Sequence, residues 1–220
     1  MDDSVNLGRT GRVLAALRPD FVGLQEVDDR VRRSGGVDEA AALGEQLGMQ
    51  HRFGSFMDYQ GGRYGLAILS RHPIVGSRVI TLPVGNEPRV ALVVDAELPS
   101  RDTVSVVTVH FDWVSSDSFR FPQASRLAAA LDSLRHPYVL LGDFNDEPGS
   151  RTLGLFTARA REVPKLPGAR FTFSSTEPVK EIDFVFVSPP ARWESGAARA
   201  IDERVASDHR PVLAEVRLRR

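Results

Sequence analysis

Five short stretches each carry an apolar run into a sharp turn that presents a carboxylate, amide or imidazole. They are Leu24-Gln25-Glu26, Val109-His110-Phe111-Asp112, Leu141-Gly142-Asp143-Phe144-Asn145, Glu181-Ile182-Asp183-Phe184 and Ser207-Asp208-His209-Arg210-Pro211. A lone acid at a strand end is usually a solvated turn residue or a helix cap; five such ends in one chain point to shared chemistry. Glu26 offers a hard oxygen ligand. Asp143 and Asn145 leave one tight turn two positions apart, so a carboxylate able to hold a water and an amide able to donate to a phosphoryl oxygen would face one cleft. Pro211 fixes the start of the final strand, presses Arg210 into extended geometry and holds Asp208-His209 at the turn before it. A protonated imidazole at His209 could neutralise a transition state, and a neutral one could act as base. Asp183 would fix the tautomer of that ring if it accepts the other imidazole proton, and Asp208 would add a direct or outer contact to a metal.

These residue types match the demands of attack on a phosphate ester. Such attack must overcome repulsion between anions, stabilise charge on phosphoryl oxygens and activate water. The chain has no cysteine and only five histidines, so oxygen ligands predominate and the expected ion is Mg²⁺ or Mn²⁺ rather than zinc. Other polar groups read more plainly. His51, His72 and His136 are expected at the surface, Asp112 and Asp146-Glu147 as loop charges, and Arg32-Arg33-Ser34-Gly35-Gly36 as a solvated turn. The segment Gln60-Gly61-Gly62-Arg63-Tyr64 reads equally as a substrate rim or a hairpin loop, and Trp113 equally as a stacking platform or a packed aromatic.

The elements that must position these groups alternate without a linker or repeat, which predicts one domain over residues 1–220. Leu7, Val13, Leu14 and Leu17 give a first helix ending near Arg18-Pro19, and Phe21 to Val27 a strand. A second helix is predicted from Asp38 to Leu47, stopped by Gly48. Leu66–Ser70, Ile74–Leu82, Arg89–Leu98 and Thr103–His110 read as strands with antiparallel neighbours. A helix follows from Pro122 to Arg135, then strands at Tyr138–Leu141, Ile182–Val187 and Pro211–Leu218. The mixture suits a two-sheet α/β sandwich with helices outside.

Of 220 residues, 42% are hydrophobic and 26% charged, which is a globular balance and excludes disordered and fibrous classes. No apolar run reaches the roughly 18 residues of a membrane span. With 28 basic and 29 acidic residues and a formal charge of −1, there is no basic block to wrap a phosphate backbone. The acidic start Met1-Asp2-Asp3-Ser4 lacks the pattern of a signal peptide, so a cytoplasmic location is expected.

In order along the chain, Val22-Gly23-Leu24-Gln25-Glu26-Val27, Tyr64-Gly65-Leu66-Ala67-Ile68-Leu69-Ser70-Arg71, Thr108-Val109-His110, Gly142-Asp143-Phe144-Asn145, Ile182-Asp183-Phe184 and Ser207-Asp208-His209-Arg210-Pro211 resemble the motifs of the endonuclease/exonuclease/phosphatase superfamily. The resemblance implies a four-layered α/β sandwich, two mixed sheets face to face, and divalent-metal hydrolysis of phosphate esters. It implies metal binding by Glu26, catalysis by the Asp143 and Asn145 pair, pairing of Asp183 with His209, and a phosphate-oxygen donor at His110. Two departures stand out. The family opens with a strand ending in asparagine, whereas Met1-Asp2-Asp3-Ser4-Val5-Asn6-Leu7 leads straight into the first helix. That opening strand is expected to be missing and to be encoded in frame upstream of Met1, and Asn6 inherits no role. Leu66 stands where many relatives have asparagine. The expected substrate is a small phosphorylated metabolite or lipid headgroup. A nuclease is the less favoured alternative, and a non-catalytic binding module on a decayed fold is the third. No protein partner is indicated.

Overall fold

Three of the four α-helix starts among the described residues are marked by side chains that accept from otherwise orphaned backbone N–H groups, the helix that begins at Arg120 being the exception. The computed structural model describes residues 6–219. Asn6 accepts from Arg9 N (2.9 Å) at the head of α1 (Leu7–Leu17), and Asp38 from Ala41 N (3.0 Å) at the head of α2 (Glu39–Leu47). Gly48, at φ +63°, ends α2 in the left-handed conformation that glycine adopts without strain. Two further helices are α3 (Arg120–Leu131) and α4 (Arg151–Thr157), the last capped by Ser150. Sequence patterning missed α4 because it is only 7 residues long and contains Gly154.

The strands are β1 (Phe21–Asp29), β2 (Gln50–Tyr59), β3 (Gly62–Ser70), β4 (Ile74–Thr81), β5 (Val90–Glu97), β6 (Thr103–His110), β7 (Tyr138–Asp143), β8 (Arg161–Glu162), β9 (Asp183–Ser188), β10 (Ala197–Ala200) and β11 (Val212–Glu215). Six form one sheet in the order β4-β5-β6-β7-β9-β8, in which β6 and β7 run parallel and the other neighbours antiparallel. A second, antiparallel sheet has the order β1-β3-β2, and β10 pairs with β11 apart from it. The β2 strand had no sequence counterpart, because its mixed polar residues break the alternation that marks a half-buried strand. Residues Gln60-Gly61, at φ +44° and +86°, form the tight turn between β2 and β3, so the hairpin reading of that segment holds.

Two apolar faces pack between the sheets. Leu66 and Ile68 from β3 meet Leu92, Val94 and Val106 from β5 and β6. Gly23 permits the closest approach, since a Cβ there would lie 2.1 Å from Leu141 Cδ1. On the outer face of the six-stranded sheet, Val93, Val107, Leu140 and Phe186 bury against Leu127 and Leu131 of α3 and Phe156 of α4. Val22 and Leu69 carry Leu14 of α1 and Leu43 of α2 on the opposite outside. The result is the expected order of helix, sheet, sheet and helix layers.

Among the described residues no strand precedes α1; the expectation placed on Met1–Val5 lies outside them. Among the strands of the described residues, β1 pairs only with β3, and β11 only with β10. The groove between them, about 1830 Å³, is lined by Val22, Leu24, Val139, Leu141 and Val212 and touches Glu26, Asp183, Asp208 and His209. No helix among the described residues is long and apolar enough to cross a membrane.

Candidate active site

Three neighbouring strands bring three functional side chains into one row, two at strand ends and one at a strand start. His110 closes β6 opposite Asp143 of β7, and Asp143 stands opposite Asp183 of β9. Residues in register across a sheet project to the same face, so register alone brings a histidine and two carboxylates together. The motif around Asp143 is built for this. Gly142 at φ +140° lies so close to β6 that a Cβ would fall 2.1 Å from the Val109 carbonyl oxygen. Phe144 is fully buried against the rings of Phe111, Phe156, Phe184 and Phe186. An anchored aromatic thus fixes the backbone on either side of which Asp143 and Asn145 must act.

His209 arrives from the loop before β11. That loop is braced by Ser175 N donating to Asp208 O (2.7 Å) and Arg210 N donating to Thr172 O (2.7 Å), and the His209 ring packs 5.0 Å from that of Phe173. Its Nδ1 lies 2.9 Å from Asp183 Oδ2 and its Nε2 3.8 Å from Asp143 Oδ2. Burial alone would push this imidazole down, but the Asp183 hydrogen bond and charge, with Asp143 and Asp208 behind them, outweigh it and raise its pKa to about 9. Asp143 moves the other way from an ordinary carboxylate. Burial, reinforced by the Asp183 charge, raises it to about 8 against the pull of His209. Asp143 and Asp183, with His209, each offer a ligand atom within 4.8 Å of the others.

The remaining expected residues lie around this core. Asn145, left-handed at φ +49°, receives no strain penalty of the size a branched residue would, and its backbone N donates to Asp143 Oδ1 at 2.7 Å. Its Nδ2 donates to Phe111 O (3.0 Å), which leaves one amide proton for a ligand. His110 is 4% exposed, with Nε2 3.4 Å from Asp143 Oδ2 and Nδ1 4.0 Å from Glu26 Oε1. Glu26 sits at a bulge of β1 with φ +57°, a strained conformation for a glutamate. Its side chain is 62% exposed and, among the described residues, makes no hydrogen bond. Asp208 is exposed and contacts Ser207 Oγ at 3.4 Å rather than joining the Asp143, Asp183 and His209 cluster.

Divalent metal fits this donor set. Two carboxylates share a buried row, burial and the neighbouring Asp183 charge make Asp143 resist ionisation, and the strained Glu26 holds a largely exposed carboxylate beside them. Oxygen donors of this kind suit Mg²⁺ or Mn²⁺.

Several features were invisible in the sequence. Asp112, expected as a loop charge, is fully buried: it accepts from Asn86 N (2.6 Å) and Val114 N (3.2 Å) and so ties the loop after β6 to the loop before β5. Arg33 belongs to a short turn as expected, but forms a two-bond fork to Asp28 (2.9 Å each) and lies over the rings of Tyr59 and Tyr64. Trp113 is 59% exposed, which removes the packed-aromatic reading. Arg89 is 2% exposed beside His110, and nothing about an arginine at a strand start signals burial.

Comparison with known proteins places this geometry. The crystal structure of an endonuclease/exonuclease/phosphatase from Beutenbergia cavernae is 25% identical, with TM-score 0.79 over 99% of this chain and 67% of that one. A mannosyl-6-phosphatase from Bacteroides thetaiotaomicron is 16% identical, with TM-score 0.79 over 96% and 90%. The human Nocturnin catalytic domain with bound sulfate is 20% identical, with TM-score 0.76 over 96% and 85%. These likenesses are of fold. The sequence profile of one family matches residues 4–209, from before α1 to the His209 of the site, and so takes in every strand end described above. On that match, the chain belongs to the endonuclease/exonuclease/phosphatase family, whose members hydrolyse phosphoester bonds.

Proposed function

We propose that this chain hydrolyses phosphate esters by in-line attack of water, with Asp143 and His209 acting in the chemical step. The reading rests on one observation: His209 bridges Asp183 (2.9 Å) and Asp143 (3.8 Å) at the ends of adjacent strands. Asp183 accepts from Nδ1–H, so Nε2 faces the Asp143 side of the cleft. With its pKa raised to about 9, His209 carries a proton and a positive charge at neutral pH, and stabilises the phosphoryl oxygens as charge builds on them. Asp143, once ionised, holds the attacking water and takes its proton. Asn145 and His110 donate to non-bridging oxygens.

Glu26 would hold a Mg²⁺ or Mn²⁺ ion beside Asp143, with Asp208 as an outer contact; such an ion, when bound, supplies charge to the phosphoryl oxygens and favours the ionised form of Asp143. The preferred substrate is a small phosphorylated metabolite or lipid headgroup, because a net charge of −1 without a basic block offers no track for a nucleic-acid backbone. The test is a panel of bis-(p-nitrophenyl) phosphate, p-nitrophenyl phosphate, inositol phosphates, sphingomyelin, plasmid DNA and RNA, each with Mg²⁺ and Mn²⁺. Turnover of the small esters well above that of the nucleic acids is expected. Faster cleavage of DNA or RNA would make the protein a nuclease and give the exposed Trp113 a base-stacking role.

A further inference from the structure

Arg89 lies just before β5 with its guanidinium 2% exposed. Its Cζ sits 5.1 Å from the Phe56 ring centroid, its Nη2 lies 3.1 Å from Glu87 Oε2, and its Nη1 lies 3.2 Å from Nδ1 of His110. Its buried Nε has no hydrogen-bond partner among the described residues. Neither the family match nor the motif order draws attention to this residue.

We infer that Arg89 is a positioning residue: it fixes His110 as the neutral tautomer with its proton on Nε2, and so makes His110 a hydrogen-bond donor to the substrate. A guanidinium carries only donors and stays charged at any working pH. A contact from it to an imidazole nitrogen is favourable only if that nitrogen presents a lone pair, so Nδ1 must be bare. The competing partner is Glu26, which would favour a proton on Nδ1. Its oxygen is 4.0 Å away on a side chain 62% exposed, whereas Arg89 is 3.2 Å away and sealed from water. The nearer, drier contact dominates, because a buried charge interacts far more strongly than a solvated one. The remaining proton then sits on Nε2, on the side where Asp143 Oδ2 lies 3.4 Å off. The groups facing this ring agree: burial first, then Arg89, then His209 all disfavour a doubly protonated His110. Two histidines of one site are thereby held in opposite states, His209 as a cation by Asp183 and His110 as a neutral donor by Arg89.

The kinetic consequence rests on the phosphoesterase reading; the tautomer does not, so the experiment has two arms. In the first, long-range ¹H–¹⁵N correlation spectra of the substrate-free protein are recorded, with His110→Phe used for assignment. An unprotonated Nδ1 and protonated Nε2 on His110 are expected. A protonated Nδ1, or a doubly protonated ring, overturns the inference. In the second, Arg89→Met, of similar length but without donors, should populate the Nδ1–H tautomer and lower kcat about 10–100-fold with little change in KM, as outer partners of functional imidazoles do. Arg89→Lys, which restores a donor, should recover part of that loss and the original tautomer. A raised KM at unchanged kcat in Arg89→Met would make Arg89 a substrate-holding group instead and overturn the positioning role. If Arg89→Met does not fold, the wild-type spectrum decides. The expected spectrum together with no turnover of any ester would leave this inference standing and fail the proposed function.

Discussion

At the residue scale the account rests on two groups whose proton affinities are displaced by their neighbours. Asp183 and His209, 2.9 Å apart, act as one unit in the proposed step. Removing either side chain should therefore cost about as much as removing both, roughly 10²–10⁴ in kcat, as for a positioned acid or base. Steady-state kinetics of Asp183→Ala, His209→Ala and the double variant test this, and additive losses would separate the two. The same displacement acts on stability. Asp143, raised from 3.8 to about 8, holds a proton in the folded chain that it loses in the unfolded one across that window. His209, raised from 6.5 to about 9, does the same at higher pH. At these two groups the folded state binds more protons, whereas His110, buried and neutral in the fold, binds fewer below its ordinary 6.5; the opposed slopes offset each other at the acid end, and stability falls as pH rises from there to about 9. The melting temperature of the chelated protein should decline between about pH 6.5 and pH 9, and Asp143→Asn should flatten the lower part of that decline. A melting temperature that rises with pH there would contradict the proton assignment.

At the element scale, the strand-end motifs were legible because strand length and polarity change abruptly at them: β6, β7 and β9 end or begin at the residues the motifs marked, whereas β1 runs on past Glu26 to Asp29, so that Glu26 sits at a bulge inside the strand rather than at its end. What escaped was whatever depends on packing rather than pattern. The β2 strand is recruited by pairing with β3, and α4 by the aromatic cluster that receives Phe156. Arg89 and Asp112 owe their burial to loops meeting in space, which periodicity does not encode. Phe144 shows how motif and core are joined. Its ring, 0% exposed, sits among four other phenylalanines. Phe144→Ala should cost about 3–5 kcal/mol in denaturant unfolding, as large core truncations do. A loss below about 1 kcal/mol would mean that this cluster does not anchor the catalytic turn.

For the whole molecule, the two faces of the sandwich are unequal. The six-stranded sheet is covered on both sides, whereas β1 and β11 each turn toward the groove between them an edge that has no second strand partner among the described residues. Unpaired edges exchange amide protons through small local openings, while central strands need larger ones. Hydrogen exchange should accordingly be faster for β1 and β11 than for β6 and β7; equal protection would mean the groove is closed in solution. The central claim is that metal and the Asp143–His209 pair together hydrolyse a phosphate ester. Its most direct test is kcat/KM for bis-(p-nitrophenyl) phosphate on protein dialysed against EDTA, then titrated with Mg²⁺ or Mn²⁺, alongside Asp143→Asn and Glu26→Gln. Negligible turnover without metal and saturable recovery with it are expected. A weaker metal dependence is expected in Glu26→Gln, and a loss of about 10²–10⁴ in Asp143→Asn that added metal does not restore. Full activity in EDTA, or an Asp143→Asn variant as active as the unaltered chain, would contradict the central claim.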